Sequence, residues 1–145
     1  MDETIKQLEA YLTSGNQNQL EELAQKVVSE QPENSLGYYF LAEANAMKPN
    51  YPNAELCLAK AIELDNNVSY KLRFATLKEM QGEFDNARLV YDKILMDDAT
   101  NYHALLGMGH YYMNEGGDFT AAAETYTQAI EASDDKSDAL IYRAN

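Results

Sequence analysis

Tryptophan is missing from this chain, cysteine occurs once, proline three times, and 24 acidic residues face only 11 basic ones. Each shortage excludes something. With Cys57 alone, no internal disulfide can form, and the cysteine signature of an oxidising compartment is missing. A net charge of −13 repels a phosphate backbone, so nucleic acid is not an expected partner. No apolar run approaches the roughly 18 residues that suggest a bilayer-spanning helix, so membrane insertion is not expected. The opening MDETIKQLEA lacks the basic and apolar regions of a secretory signal, and the expected location is cytoplasmic. In that setting the sequon Asn67-Val68-Ser69 is a coincidence.

Chemistry-bearing motifs are equally scarce. His103 and His110 stand seven apart, about 10 Å along a helix, too far to share one metal ion. The zinc-helix spacing of four with an adjacent glutamate does not occur. Asp97-Asp98 and Asp134-Asp135 fall where helices should stop and start, and they read as solvated caps rather than calcium ligands or an acid–base pair. No glycine loop precedes a Lys-Ser or Lys-Thr pair, and Cys57 sits between Leu56 and Leu58 with no histidine nearby. The chain is therefore expected to hold no cofactor and no metal, and not to be an enzyme.

What is present is hydrophobic content and repetition. At 46% hydrophobic and 10% aromatic, 145 residues can bury a core, as one compact domain or a short array of smaller units. Laid on itself, the chain gives four matching rows: GNQNQLEELAQKVV from 15, PNYPNAELCLAKAI from 49, GEFDNARLVYDKIL from 82 and GDFTAAAETYTQAI from 117. The starts are 34, 33 and 35 residues apart. Shared columns are Tyr51, Phe84 and Phe119; Ala54, Ala87 and Ala122; Leu58, Tyr91 and Tyr126; and Val27, Ala61, Ile94 and Ala129. Within a row they fall at i, i+3, i+7 and i+10, along one face of an α-helix. Gly15, Pro49, Gly82 and Gly116-Gly117 mark a turn before each row, and a second helical pattern precedes each turn. The predicted unit is helix, short turn, helix.

With Leu8, Tyr11 and Ala24; Tyr38, Leu41, Ala42 and Ala54; Phe74, Ala75 and Ala87; and Leu105, Met108, Gly109, Tyr112 and Ala122 in register, the chain resembles the tetratricopeptide repeat (TPR) family. It departs from the pattern at Leu20, at Lys71 and at Ile94, and repeat four carries one inserted residue at Gly116-Gly117. The resemblance implies an all-α fold, a right-handed α-solenoid of stacked antiparallel helix hairpins. The array spans 1–145 as repeats 1–34, 35–67, 68–101 and 102–136, with 137–145 as the first helix of a partial fifth.

The family's first helices line a concave groove that receives a peptide or helix of a partner protein. Carried over by repeat position, the groove residues are Lys6, Glu9 and Thr13; Tyr39, Phe40, Glu43 and Met47; Leu72, Arg73, Thr76 and Met80; and His103, Leu106, His110 and Met113. Methionines and aromatics make an adaptable lining, while Glu9, Glu43 and Glu79 favour a partner with basic as well as apolar character. The carboxylate clamp of chaperone-binding relatives is absent. Its places hold Ile5, Glu9, Phe40, Ser69 and Arg73, or one repeat later Tyr39, Glu43, Arg73, His103 and Gly107. An alternative reading is a scaffold or self-assembly segment of a larger protein, associating through a C-terminal end that exposes Leu140 and Ile141.

Overall fold

A computed structural model describes residues 2–133, and among these the regular structure is helical throughout. Eight α-helices follow in order: α1 Asp2–Ser14, α2 Gln17–Glu30, α3 Ser35–Met47, α4 Tyr51–Leu64, α5 Val68–Met80, α6 Phe84–Asp97, α7 Tyr102–Tyr111 and α8 Phe119–Ala132. A π-helical turn, Tyr112–Gly116, continues α7. The segment 137–145, expected to be a further first helix, lies outside the described residues, as do Leu140 and Ile141.

The boundaries have local causes. Asn34, Asn67 and Asn101 each precede a first helix, and each side-chain oxygen accepts a backbone N–H of the opening turn: Leu36 at 3.0 Å, Ser69 at 2.8 Å and Ala104 at 2.9 Å. Asp118 does the same for α8 through Ala121 N–H at 3.0 Å. Such caps satisfy donors that have no partner inside the helix, at about 1 kcal/mol each. The second helices end alike, the residue after the helix donating its N–H to the carbonyl of Val27, Ala61, Ile94 or Ala129, the four members of one sequence column. At Gly15 and Gly82 the turn inside the hairpin needs φ of 76° and 78°, a conformation that glycine adopts without strain.

The one-residue insertion in the fourth row widens the end of α7. Asp118 N–H reaches back to Tyr112 C=O at 3.0 Å, six residues away, and Gly117, at φ 60°, closes the turn. The extra residue is thus absorbed as a π turn, a rare element found often at functional sites.

The chain divides into two compact units, Met1–Tyr70 and Lys71–Asn145. In the first, Leu8 of α1, Leu20, Ala24 and Val27 of α2, and Phe40 and Ala44 of α3 form a dry core flanked by half-buried Tyr11, Leu12, Leu36 and Met47. Each large side chain taken from water there stabilises the unit by about 1.5–3 kcal/mol. On its rim, Glu21 Oε2 accepts from Lys48 Nζ at 2.7 Å and from Gln17 Nε2 at 2.8 Å, tying the end of α3 to α2. The lysine holds the Glu21 carboxyl below its ordinary pKa.

In the second unit the core is Ala75 of α5, Ala87, Tyr91 and Ile94 of α6, and Ala104 and Met108 of α7. Here glycine makes the packing possible. A Cβ on Gly107 would stand 2.3 Å from the Tyr91 ring, and one on Gly109 2.5 Å from the Tyr126 ring. Two tyrosines of one sequence column therefore lie flat against α7 where a side chain would exclude them. Phe119, aligned with Tyr51 and Phe84, departs from the expected apolar face: it is exposed while they are half-buried. All three open their helices, but only Phe119 follows a π turn, with two residues between them.

Candidate functional site

In the first unit, Lys6, Glu9 and Thr13 are exposed on α1, with Lys6 paired loosely to Glu3 at 3.8 Å and Thr13 Oγ1 donating to Glu9 C=O at 2.8 Å. On α3, Tyr39 is half-buried, stacked on Tyr70 with ring centroids 5.3 Å apart, and Met47 packs against the core. Phe40 and Glu43 are different. Phe40 is 3% exposed inside the core and Glu43 is 7% exposed, so neither offers a surface to a partner. Repeat position selects the helix but not the face turned to the core, and on α3 the buried face takes in both Phe40 and Glu43.

In the second unit, Leu72 and Arg73 are half-buried on α5, Thr76 Oγ1 donates to Leu72 C=O at 3.1 Å, and Met80 is 48% exposed. On α7 and its π turn, His103 is exposed with its ring edge-on to Tyr102, Leu106 is half-buried, and His110 meets Tyr126 edge-on at 5.8 Å. Met113 is 43% exposed. Between these residues lie buried Ala104, Leu105, Gly107 and Met108. The helix thus presents one stripe to its own core and another, carrying His103, Leu106, His110 and Met113, away from it.

A small cleft of about 30 Å³, room for roughly one water molecule, opens beside this stripe, lined by Glu79, Arg88, Tyr91, His110, Tyr111 and Glu115 among others. Its walls are mostly apolar, from Phe84, Ala87 and the tyrosine rings, with a few polar groups set among them. Tyr91 donates its hydroxyl to Glu79 Oε1; burial first, and that carboxylate second, push the phenol well above its ordinary pKa. Tyr111 donates to Asp85 Oδ1 at 2.6 Å, which raises its pKa too. The Arg88 guanidinium lies over the Tyr111 ring, 5.3 Å from its centroid, with Nε 3.7 Å from Asp92 Oδ2. No sequence motif announces this arrangement, although one signal exists. Tyr91 occupies the column that holds Leu58 in the second row, and a phenol placed in a core column calls for a polar partner.

For chemistry the site offers little. Among the described residues, no group of three or more His, Cys, Asp or Glu could hold a metal ion. Cys57 is half-buried and its thiol is pushed up by burial, away from the reactive thiolate. No described helix is long and apolar enough to cross a membrane.

No family model matches the chain, and no curated protein matches it in sequence. Solved structures do match in fold. MamA superposes with a TM-score of 0.77 at 24% identity, over 93% of this chain and 79% of that one. A thermophilic TPR protein from Thermus thermophilus, TTC0263, gives 0.77 at 20% identity, over 94% and 76%. YrrB, described as a TPR protein with an unusual peptide-binding site, gives 0.73 at 19% identity, over 95% and 71%. At these identities the likeness establishes the fold: this chain has the all-α fold of TPR solenoids.

Proposed function

We propose that the chain is a protein–protein interaction module, an array of repeats 1–34, 35–67, 68–101 and 102–136 whose first helices bind a peptide or helix of a partner protein. The observation that carries this reading is the accessible stripe on the first helices of the second unit. Met80 and Met113 keep nearly half their surface in water, although a side chain of that kind is ordinarily buried. Leu106 and His110 continue the stripe between them in sequence. Flexible thioethers beside imidazoles can repack around different side chains, which suits a bound segment. The net charge of −13 favours a partner with basic residues, and binding should then weaken with salt. No reaction is assigned to the module. The scaffold alternative rests on an end, 137–145, that lies outside the described residues, and no described contact favours it.

The test is binding to an array of peptides varied in charge and hydrophobicity, with wild type and the double variant Met80→Gln, Met113→Gln at two salt concentrations. These exposed positions are better probes than Tyr39, whose loss would disturb its stacking on Tyr70 and the adjoining core. Selective binding that falls at least tenfold in the variant, with helicity unchanged, supports the reading. Binding that ignores both substitutions refutes it.

A further inference from the structure

We infer that the accessible stripe of the second unit receives its partner as an amphipathic α-helix, with apolar residues seven apart and a basic outer face, and not as an extended strand. The inference rests on the proposed peptide-binding role and adds the conformation that the bound segment must adopt.

Spacing is the first argument. Leu106 and Met113 stand seven apart on α7 and the π turn that continues it, about 10 Å along the helix. Two residues seven apart on a partner helix are separated by the same 10 Å and lie within about 20° of one face. An extended strand presents one face about every 7 Å, so its residues fall about 7 or 13 Å apart and miss one of the two anchors. Met80, the last residue of α5 in the same unit, offers a further thioether that is 48% exposed.

Hydrogen bonding is the second. A strand laid on the stripe would bring its backbone N–H and C=O groups with it, and each one buried there needs a partner. The stripe has few to give. Met80, Leu106 and Met113 carry no strong donor or acceptor, and Thr76 already spends its hydroxyl proton on Leu72 C=O at 3.1 Å. A helix satisfies its own backbone and asks the surface only for apolar contact. Its opposite face, turned to water, can carry the lysines or arginines that a net charge of −13 attracts.

The experiment follows the methionine ε-methyl NMR signals of the full chain during titration with three synthetic peptides of about 15 residues, long enough to hold a helix. All are built from alanine and lysine with two leucines. In the first the leucines stand seven apart. In the second, of identical composition, they stand five apart and so on different faces. In the third a central proline interrupts the helix and the leucines stand four apart, about 13 Å when extended. The first peptide is expected to bind about tenfold tighter than either control, the range set by losing one leucine from the contact. Its labelled backbone carbons should take helical shifts on binding, and Met80 and Met113 should move while Met96 stays in place. Met113→Gln, at an exposed position, should remove most of the preference with the protein's helicity unchanged. Equal binding of the second peptide would remove the seven-residue spacing, and tighter binding of the proline peptide would put a strand in place of the helix; either overturns the inference. The groove reading stands in both cases, and also if the helical peptide fails while array peptides shift Met80 and Met113. If no peptide of any kind moves these two methyls, both readings fall.

Discussion

The two units build the same helix hairpin with different interiors. Between α1 and α3 the core cluster is apolar, with Leu8, Leu20 and Val27 packed around the Phe40 ring and no hydroxyl among its buried members. Between α5 and α8, tyrosine rings lie on glycines of α7, and the buried phenol of Tyr91 brings a hydroxyl that must find an acceptor. The first solution leaves a sealed core. The second draws Glu79 to the core's edge and leaves a small cleft beside it.

The comparison can be broken by substitution, beginning where effects are largest. Leu20→Ala should destabilise the first unit by about 3 kcal/mol, since the site is fully enclosed and a cavity would remain. A cost under about 1 kcal/mol would mean that this core is looser than described. Next comes a pair of glycines. Gly107→Ala should cost about 2 kcal/mol, because the new methyl meets an almost fully buried Tyr91 ring at 2.3 Å. Gly37→Ala in the first unit meets Val27 and Val28 at 3.1 Å, and the helix propensity gained, up to about 1 kcal/mol, should nearly cancel the crowding. Equal urea midpoints for the two alanine variants would erase the contrast between the units.

The pH response sharpens the comparison further. The Tyr91 phenol titrates higher folded than unfolded, so its contribution is fully present below about pH 10, the ordinary tyrosine value, and is lost as pH rises toward the folded value. Tyr91→Phe should cost about 1 kcal/mol near neutrality and flatten that alkaline loss. A wild-type and variant profile that fall in parallel above pH 10 would show that Tyr91 is not its source. The smallest effect belongs to the first unit. Glu21, held low by Lys48, contributes stability above its ordinary value of 4.5 and loses it as pH falls through the lowered one. Lys48→Met should blunt that acid loss by a few tenths of a kcal/mol, read as a shift in the acid midpoint.

The sequence carried the helices legibly because turn residues and helical periodicity agree at every joint: glycine or proline before each second helix, asparagine before α3, α5 and α7. It carried the inserted residue at Gly116-Gly117 but not its form, since a π turn and a lengthened loop have the same count of residues. For the candidate groove, repeat position identified the helices but not which neighbour on a helix faces out, and Phe40 is the result: an aromatic beside Tyr39 whose burial depends on packing against Leu8 and Leu20. The Arg88–Tyr111–Asp85 arrangement joins α6 to α7 across 26 residues of chain, and no local pattern announces a contact of that separation.

The most direct measurement is methionine oxidation footprinting of the chain with and without a peptide selected on the array. Met80 and Met113 lie on the stripe assigned to the partner, whereas Met96, 84% exposed on α6, lies on a second helix and serves as the internal control. A bound peptide should slow oxidation of Met80 and Met113 severalfold and leave Met96 unchanged. Protection of Met96 alone, or equal oxidation of all three at saturating peptide, would contradict a partner site on the first helices.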